Sequence, residues 1–171
     1  TIEKNDSIVN KILELADYHT VTIELLAKIA DTEEKTLGDF YQTLIECGFR
    51  IGSELVSSVH DEALIIEQLV KLFKVYGCTE SEQNILIQTS TIPNIPFLFI
   101  QAKKWFGITN RADINHLAEK GWIKKENLYT AGQNRYRYIM HSVIASAVRA
   151  QFMDRLYDLC QGFIFEITLD M

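Results

Sequence analysis

Proline, glycine and cysteine are all scarce in this chain, and each scarcity removes a class of fold or function. Two prolines and eight glycines in 171 residues are too few for a disordered segment or a loop-rich β protein. The three cysteines, Cys47, Cys78 and Cys160, stand far apart with no CxxC pair, so neither a disulfide framework nor a zinc site is indicated. Each lies on or beside an apolar run and reads as a buried, reduced thiol, so a cytoplasmic setting is expected. No signal peptide is present, and no apolar run approaches the roughly 18 residues that span a bilayer. The GxxxxGK[ST], GxGxxG, HExxH and GxSxG patterns are all missing. Four histidines, His19, His60, His116 and His141, are scattered without ligand spacing. The expectation is a chain with no catalytic machinery of its own and no metal site.

What is abundant is amphipathic helix. Leu37, Phe40, Tyr41, Leu44 and Ile45 repeat at i, i+3, i+4, i+7, i+8, the stripe that one helix face buries. Thr36 opens that helix, and Gly48 stands where a left-handed residue ends one, with Phe49 as its apolar partner. Similar stripes run through Ile8, Ile12, Leu15 and Ala16, capped by Asp6 or Ser7, and through Val21, Leu25, Leu26 and Ile29 after Thr20. After an irregular stretch through Ser58, Ile65, Leu69, Leu72, Phe73 and Tyr76 make a longer helix. Residues 1–77 therefore read as a small helical bundle.

The style then changes. Thr79-Glu80-Ser81-Glu82 is a capping box, in which the threonine hydroxyl and the glutamate each satisfy an otherwise orphaned backbone N–H. A helix through Ile85 and Leu86 follows. Pro93 and Pro96 mark a turn, and a second helix carries Ile95, Leu98, Phe99, Ala102 and Phe106, closed by Gly107. Asn110 caps a third, with Ile114, Leu117 and Ala118 inward and Gly121 at its end. Two strand-like runs, Trp122–Lys125 and Tyr136–Met140, flank the polar segment Ala131-Gly132-Gln133-Asn134, a hairpin of the longer-loop kind. Val143, Ile144, Ala147 and Val148 mark a closing helix. Helices, a two-stranded β wing and a closing helix in that order describe a winged helix, residues 78–151. Phe152, Leu156, Leu159, Phe163 and Ile167 outline a C-terminal helix over 152–171, its apolar face packed on the winged helix or on whatever comes next. The fold class is thus mainly α, with one small β wing. A chain that opens at Thr1 and stops at Met171 inside an expected helix reads as a piece of something larger.

Charge is unevenly spread around the net −6. Residues 1–100 hold 7 basic and 16 acidic side chains, net −9; residues 101–137 hold 8 and 3, net +5; the remainder is −2. The basic island coincides with the winged helix. On fold alone this points to DNA, with the third helix in the major groove offering Arg111, Asn115, His116 and Lys120. The wing would add Lys124, Lys125, Arg135 and Arg137 to phosphate contacts, with Tyr136 and Tyr138 between them. Against it, Asp113 and Glu119 share the helix, and the whole chain is acidic. The same island can instead face another domain or remain a solvated face. A protein–protein module is a third reading, with Trp105, Phe106 and the final helix offering partly exposed apolar surface.

Two stretches go beyond generic helix. Leu13-Glu14-Leu15-Ala16-Asp17-Tyr18-His19-Thr20-Val21-Thr22-Ile23-Glu24-Leu25-Leu26 resembles the start of the helical domain in NB-ARC, or STAND-class, signal-transduction ATPases. Leu117-Ala118-Glu119-Lys120-Gly121-Trp122-Ile123, followed by Tyr138-Ile139-Met140-His141-Ser142-Val143-Ile144, resembles the L-x-x-x-G-hydrophobic and M-H-D segments of the same family's winged helix. The resemblance implies a regulatory fragment that closes over ADP or ATP held by an upstream P-loop NTPase domain absent from this chain. It also implies a downstream repeat or sensor domain and a nucleotide-dependent oligomer. Carried over by position, His141 would sense the β-phosphate, while Tyr18, His19 and Thr20 would line the adenine side. No tightly bound nucleotide is expected of this chain alone. Two departures stand out: the turn lacks the family's proline, and Ser142 replaces the motif's aspartate. Read from the residues only, His141 is a polar cap where a strand becomes a helix, and His19 an ordinary turn residue.

Overall fold

The computed structural model describes residues 2–33, 35–51, 62–130 and 133–160. It is mainly helical, with one small antiparallel sheet. The chain divides into two compact units, Thr1–Gly77 and Cys78–Met171. Among the described residues no helix is long and apolar enough to cross a membrane.

The first unit contains α1 (Ile2–Leu15), α2 (Thr20–Thr32), α3 (Leu37–Glu46) and α4 (Glu62–Val75). Its helix ends follow from named side chains. Thr36 Oγ1 accepts the Asp39 N–H at 3.2 Å to start α3. At the other end Gly48 takes φ +68°. Its N–H donates to the Ile45 carbonyl, and the Phe49 N–H donates back to Leu44, both at 2.9 Å. That is a Schellman closure, and it drives Phe49 into the core, 1 % exposed. Leu25, Ile29, Phe40, Leu44, Leu69 and Leu72 fill the centre. Buried Gln68 accepts the Arg50 N–H at 2.9 Å, tying the chain after α3 to α4. Asp6 and Ser7 do not cap α1. The helix begins at Ile2 and both residues lie within it, exposed, because nothing in Glu3-Lys4-Asn5 interrupts helical backbone. The stretch expected to be irregular through Ser58 lies mostly outside the described residues.

The second unit runs α5 (Glu80–Thr89), β1 (Phe97–Leu98), α6 (Phe99–Phe106), α7 (Arg111–Glu119), β2 (Lys124–Thr130), β3 (Gln133–Ile139) and α8 (Ser142–Gln151), with a further helical stretch over 153–160. The strand order is β1-β3-β2, antiparallel throughout. Strand β3 is central, and Phe97 faces Tyr138 in its register. Tyr138, Met140, Trp122 and Ile123 are all fully buried. Gly107 at φ +65° and Gly121 at φ +86° end α6 and α7. The Trp122 N–H returns to the Leu117 carbonyl at 3.0 Å and so swings the indole inward.

Three expectations are corrected here. Phe97 and Leu98 form a strand instead of opening a helix. Ile95 is half exposed, and Gln101 Oε1 accepts the Leu98 N–H at 2.8 Å to start α6. The first hairpin strand starts at Lys124, after Trp122 and Ile123, and the pairing runs from Lys124↔Ile139 out to Thr130↔Gln133, so Gln133 and Asn134 belong to the second strand and not to a longer loop; residues 131–132 fall outside the described set. Trp105 and Phe106 are 9 % and 7 % exposed, so neither offers surface to a partner. The last described stretch packs back on α5: Arg155 donates to Gln83 Oε1 and Asn84 Oδ1 at 2.8 and 2.6 Å.

Candidate functional site

The residues singled out for a ligand fall in both units. Tyr18, His19 and Thr20 belong to the first and His141 to the second. In the first, α1 ends in two successive left-handed residues, Asp17 at φ +45° and Tyr18 at φ +55°. Each costs an L-residue about 1 kcal/mol or more. Backbone bonds over-determine the turn: Tyr18 N–H donates to Leu13 O at 3.1 Å, His19 N–H to Ala16 O at 2.9 Å, and Ile51 N–H to Leu15 O at 2.7 Å. The strained backbone projects the Tyr18 ring into solvent, 62 % exposed. His19 is the N-cap of α2, its Nδ1 accepting the Thr22 N–H at 3.4 Å and lying 2.8 Å from Thr22 Oγ1. Thr20, the first residue of the helix, is exposed.

His141 performs the same local task in the second unit. Strand β3 ends at Ile139, the buried Met140 anchors the corner, and His141 caps α8 with extended backbone, φ −68° and ψ 143°. Its Nδ1 accepts the Val143 N–H at 3.3 Å. An imidazole that accepts through Nδ1 carries its proton on Nε2 when neutral. The exposed edge of His141 therefore carries an Nε2–H donor at the N-terminus of a ten-residue helix, the end whose dipole favours an anion. Ser142, which stands where the motif has aspartate, is the first residue inside the helix.

The basic island is largely turned on itself. Asn115 Oδ1 accepts from the Tyr138 hydroxyl at 2.9 Å, which takes it off the outer face of α7. Arg111 lies over the Phe99 ring at 4.8 Å and Lys125 over Tyr136 at 4.4 Å. Lys124 Nζ sits 3.0 Å from Glu126 Oε1, and Arg137 Nε donates to Glu126 Oε2 at 2.6 Å. Lys124 and Arg137 together hold the Glu126 carboxyl below its ordinary range. Arg135 is exposed on β3, opposite Leu128.

The remaining two members of that set converge on a group that sequence reasoning treated only as half of a capping box. Glu82 is 1 % exposed. Its Oε2 accepts the Thr79 N–H at 2.8 Å and faces Lys120 Nζ at 3.7 Å, while His116 Nδ1 donates to Oε1. Burial alone pushes such a carboxyl up; the Thr79 N–H, Lys120 and His116 more than reverse this and leave Glu82 below its ordinary value. Cys78 adjoins the cluster, its thiol pushed up to about 11 by burial, with Lys120 opposing and Glu82 adding to the rise. Thr79-x-x-Glu82 was legible as a box, but nothing local signals that His116 lies 34 residues away and closes it. Among the described residues no group of three or more His, Cys, Asp or Glu is placed to hold a metal ion.

No protein-family model matches the chain, and neither a curated protein nor a solved structure matches it.

Proposed function

We infer that residues 78–151 are a winged helix and that the chain is the regulatory part of an ATP/ADP-dependent switch. It closes on nucleotide held by a P-loop domain. The order helix, short strand, helix, helix, two-stranded hairpin, helix supports the first half of that reading. The observation that carries the second is His141: an exposed ring at the N-cap of α8, its Nδ1 occupied by the Val143 N–H and its Nε2 directed to donate. A phosphate bound there gains a ring donor and the helix N-terminus together. Such a contact, made in only one arrangement of domains, is what a switch needs to bias its equilibrium. The strained turn that presents Tyr18 adds a flat apolar ring of the kind on which a nucleobase stacks.

Duplex DNA is the weaker reading of the same surface. Lys124 and Arg137 both pair with Glu126 within the hairpin, which leaves the three groups one net positive charge. Asn115 Oδ1 and His116 Nδ1 of α7, and Lys120 just after it, engage Tyr138 and Glu82, which turns those atoms away from base edges.

The discriminating variants are His141→Ala and His141→Asp. Asp keeps an N-cap acceptor but offers no donor to phosphate, whereas Ala removes both. In the nucleotide-loaded protein that contains this chain, both variants are expected to speed ADP release about tenfold or more, the worth of one charge-assisted hydrogen bond. Only Ala is expected to lower stability, by about 1 kcal/mol. An ADP off-rate unchanged in the Asp variant returns His141 to a purely structural cap.

A further inference from the structure

We propose that the second unit carries a binding site for a small neutral ring with an amide edge, a lactam, in the cavity bounded by α5, the turn from α6 to α7 and the stretch 153–160. The cavity has a volume of about 200 Å³ and lies within that unit. Two kinds of wall build it. Ile85, Phe106 and Ile108 are buried and supply its apolar part. The lining left open to an occupant is mainly polar, which separates it from the dry gaps that packing leaves inside a core. A few placed polar groups on an apolar wall are what fixes a small ligand in one orientation.

Hydrogen bonds within the protein decide what those polar groups can offer. Asn84 and Gln88 stand one turn apart on α5 and so share a face. Arg155 donates to Asn84 Oδ1 at 2.6 Å, and Gln88 Nε2 donates to the Leu159 carbonyl at 3.4 Å. A guanidinium only donates and a carbonyl only accepts, so neither amide can be flipped. Asn84 is left with its Nδ2 hydrogens and Gln88 with its Oε1. One donor and one acceptor on the same helix face are the complement of an amide edge: the ligand carbonyl accepts from Asn84, and the ligand N–H donates to Gln88.

Charge and size narrow the class. Asp113 is the one ionisable side chain among the described residues that line the cavity. Its Oδ2 accepts the Ser81 hydroxyl at 2.7 Å and its Oδ1 the Asn110 amide at 3.3 Å, and the Arg155 guanidinium on Asn84 offsets its sign. An ionic ligand therefore finds no uncompensated partner, whereas a neutral amide does. A cavity of about 150 Å³ holds benzene, so this one takes a single six-membered ring and not a nucleotide. The site uses none of the residues of the nucleotide reading.

Titration of the isotope-labelled 171-residue chain with δ-valerolactam, followed by NMR, tests this against two rings of the same size. Cyclohexanone keeps the acceptor and lacks the donor; piperidine is a cation that only donates. The lactam is expected to move the side-chain NH₂ signals of Asn84 and Gln88 and the backbone amides from Gly107 to Asn110 saturably, with a Kd on the order of 1 mM. Both other rings leave a polar group of the site unmatched and are expected to bind about tenfold more weakly. Asn84→Asp keeps an oxygen for Arg155 but replaces the donor with an acceptor, and Gln88→Met removes the acceptor. Each should weaken the lactam about tenfold or more, and each variant's spectrum reports directly that its unit is folded. The three rings compared on wild type need no variant, so a variant that misfolds leaves the test intact. Lactam shifts that stay unsaturated or absent up to about 20 mM overturn the proposal. So does cyclohexanone or piperidine binding as tightly as the lactam, or a folded Asn84→Asp that binds it like wild type.

Discussion

Removing the charge from Glu82 is the perturbation that most directly probes how the second unit is held together. In Glu82→Gln the side chain keeps its shape but has one acceptor where the carboxylate has two. Either the Thr79 N–H or the His116 Nδ1–H then points at an amide NH₂ group, and Lys120, with its side chain 17 % exposed, loses its counter-charge. A donor left unsatisfied in a buried site costs about 1–3 kcal/mol, and breaking a buried ion pair from one side about 3–5 kcal/mol. Lys120 is not fully buried, so the lower ends apply, and about 3 kcal/mol is expected. For a unit of this size that lowers Tm by about 12 °C or more. The sign with pH follows from the direction of the shift. The folded carboxyl lies below its unfolded value, so the stability it contributes is complete above the unfolded pKa of about 4.3. It is lost as pH falls through the lower, folded value. Urea melts of wild type and Glu82→Gln should therefore differ by about 3 kcal/mol at pH 7 and converge on acidification below the ordinary carboxylate range. A double-mutant cycle with His116→Ala should return a coupling of about 1 kcal/mol or more. A loss under about 1 kcal/mol at pH 7, or a difference that does not narrow in acid, would refute the reasoning.

Other expectations are simpler. The Cys78 thiol, pushed up to about 11 by burial, should resist alkylation at pH 8 until the unit unfolds; rapid labelling of the native protein there would contradict its placement. Tyr138→Phe removes the hydroxyl that donates to Asn115 at 2.9 Å and should cost about 1 kcal/mol in a denaturant melt, with the ring still packed. Gly107 sits at φ +65° with open space where a Cβ would go. Gly107→Ala should therefore cost about 1 kcal/mol in backbone strain and none in clash, and Gly107→Asn, which tolerates this conformation, should cost less by the same melt.

Legibility in the sequence tracked how local the cause was. Thr36, Thr79 and Asn110 announced helix starts because a cap acts over three residues, and Gly48, Gly107 and Gly121 announced ends because a left-handed closure needs no distant partner. The β1 strand was hidden: two residues carry no period, and Phe97 and Leu98 become a strand only because β3 offers them an edge. The outer halves of β2 and β3 were hidden for a related reason. Glu126, Asn127 and Arg135 fell outside the expected strands, yet a hairpin with a solvent-facing side accepts polar residues in register. Asp6 and Ser7 misled because a good cap residue within a helix-permissive sequence does not by itself start a helix. Trp105 and Phe106 looked available only while the neighbours that cover them were unknown.

The basic island shows what a linear window cannot weigh. Summed over residues 101–137 the chain is +5, and on that figure alone a polyanion is the natural partner. Folded, the acid that matters most to α7 is Glu82, which lies outside the window and takes both His116 and Lys120. Glu126 lies inside it but was counted as one charge, although it engages two cations at once. Arg111 and Lys125 rest on aromatic rings, which leaves their charge in place but restricts where it is presented. A charge that is paired within its own unit contributes little to the counterion release that drives polyanion binding. The cap that His141 forms was open to reading because it depends on one helix end and one ring nitrogen, both set within three residues of chain. Local geometry resting on such a short span can be read before the fold is known, whereas the sign of a surface has to wait for the partners.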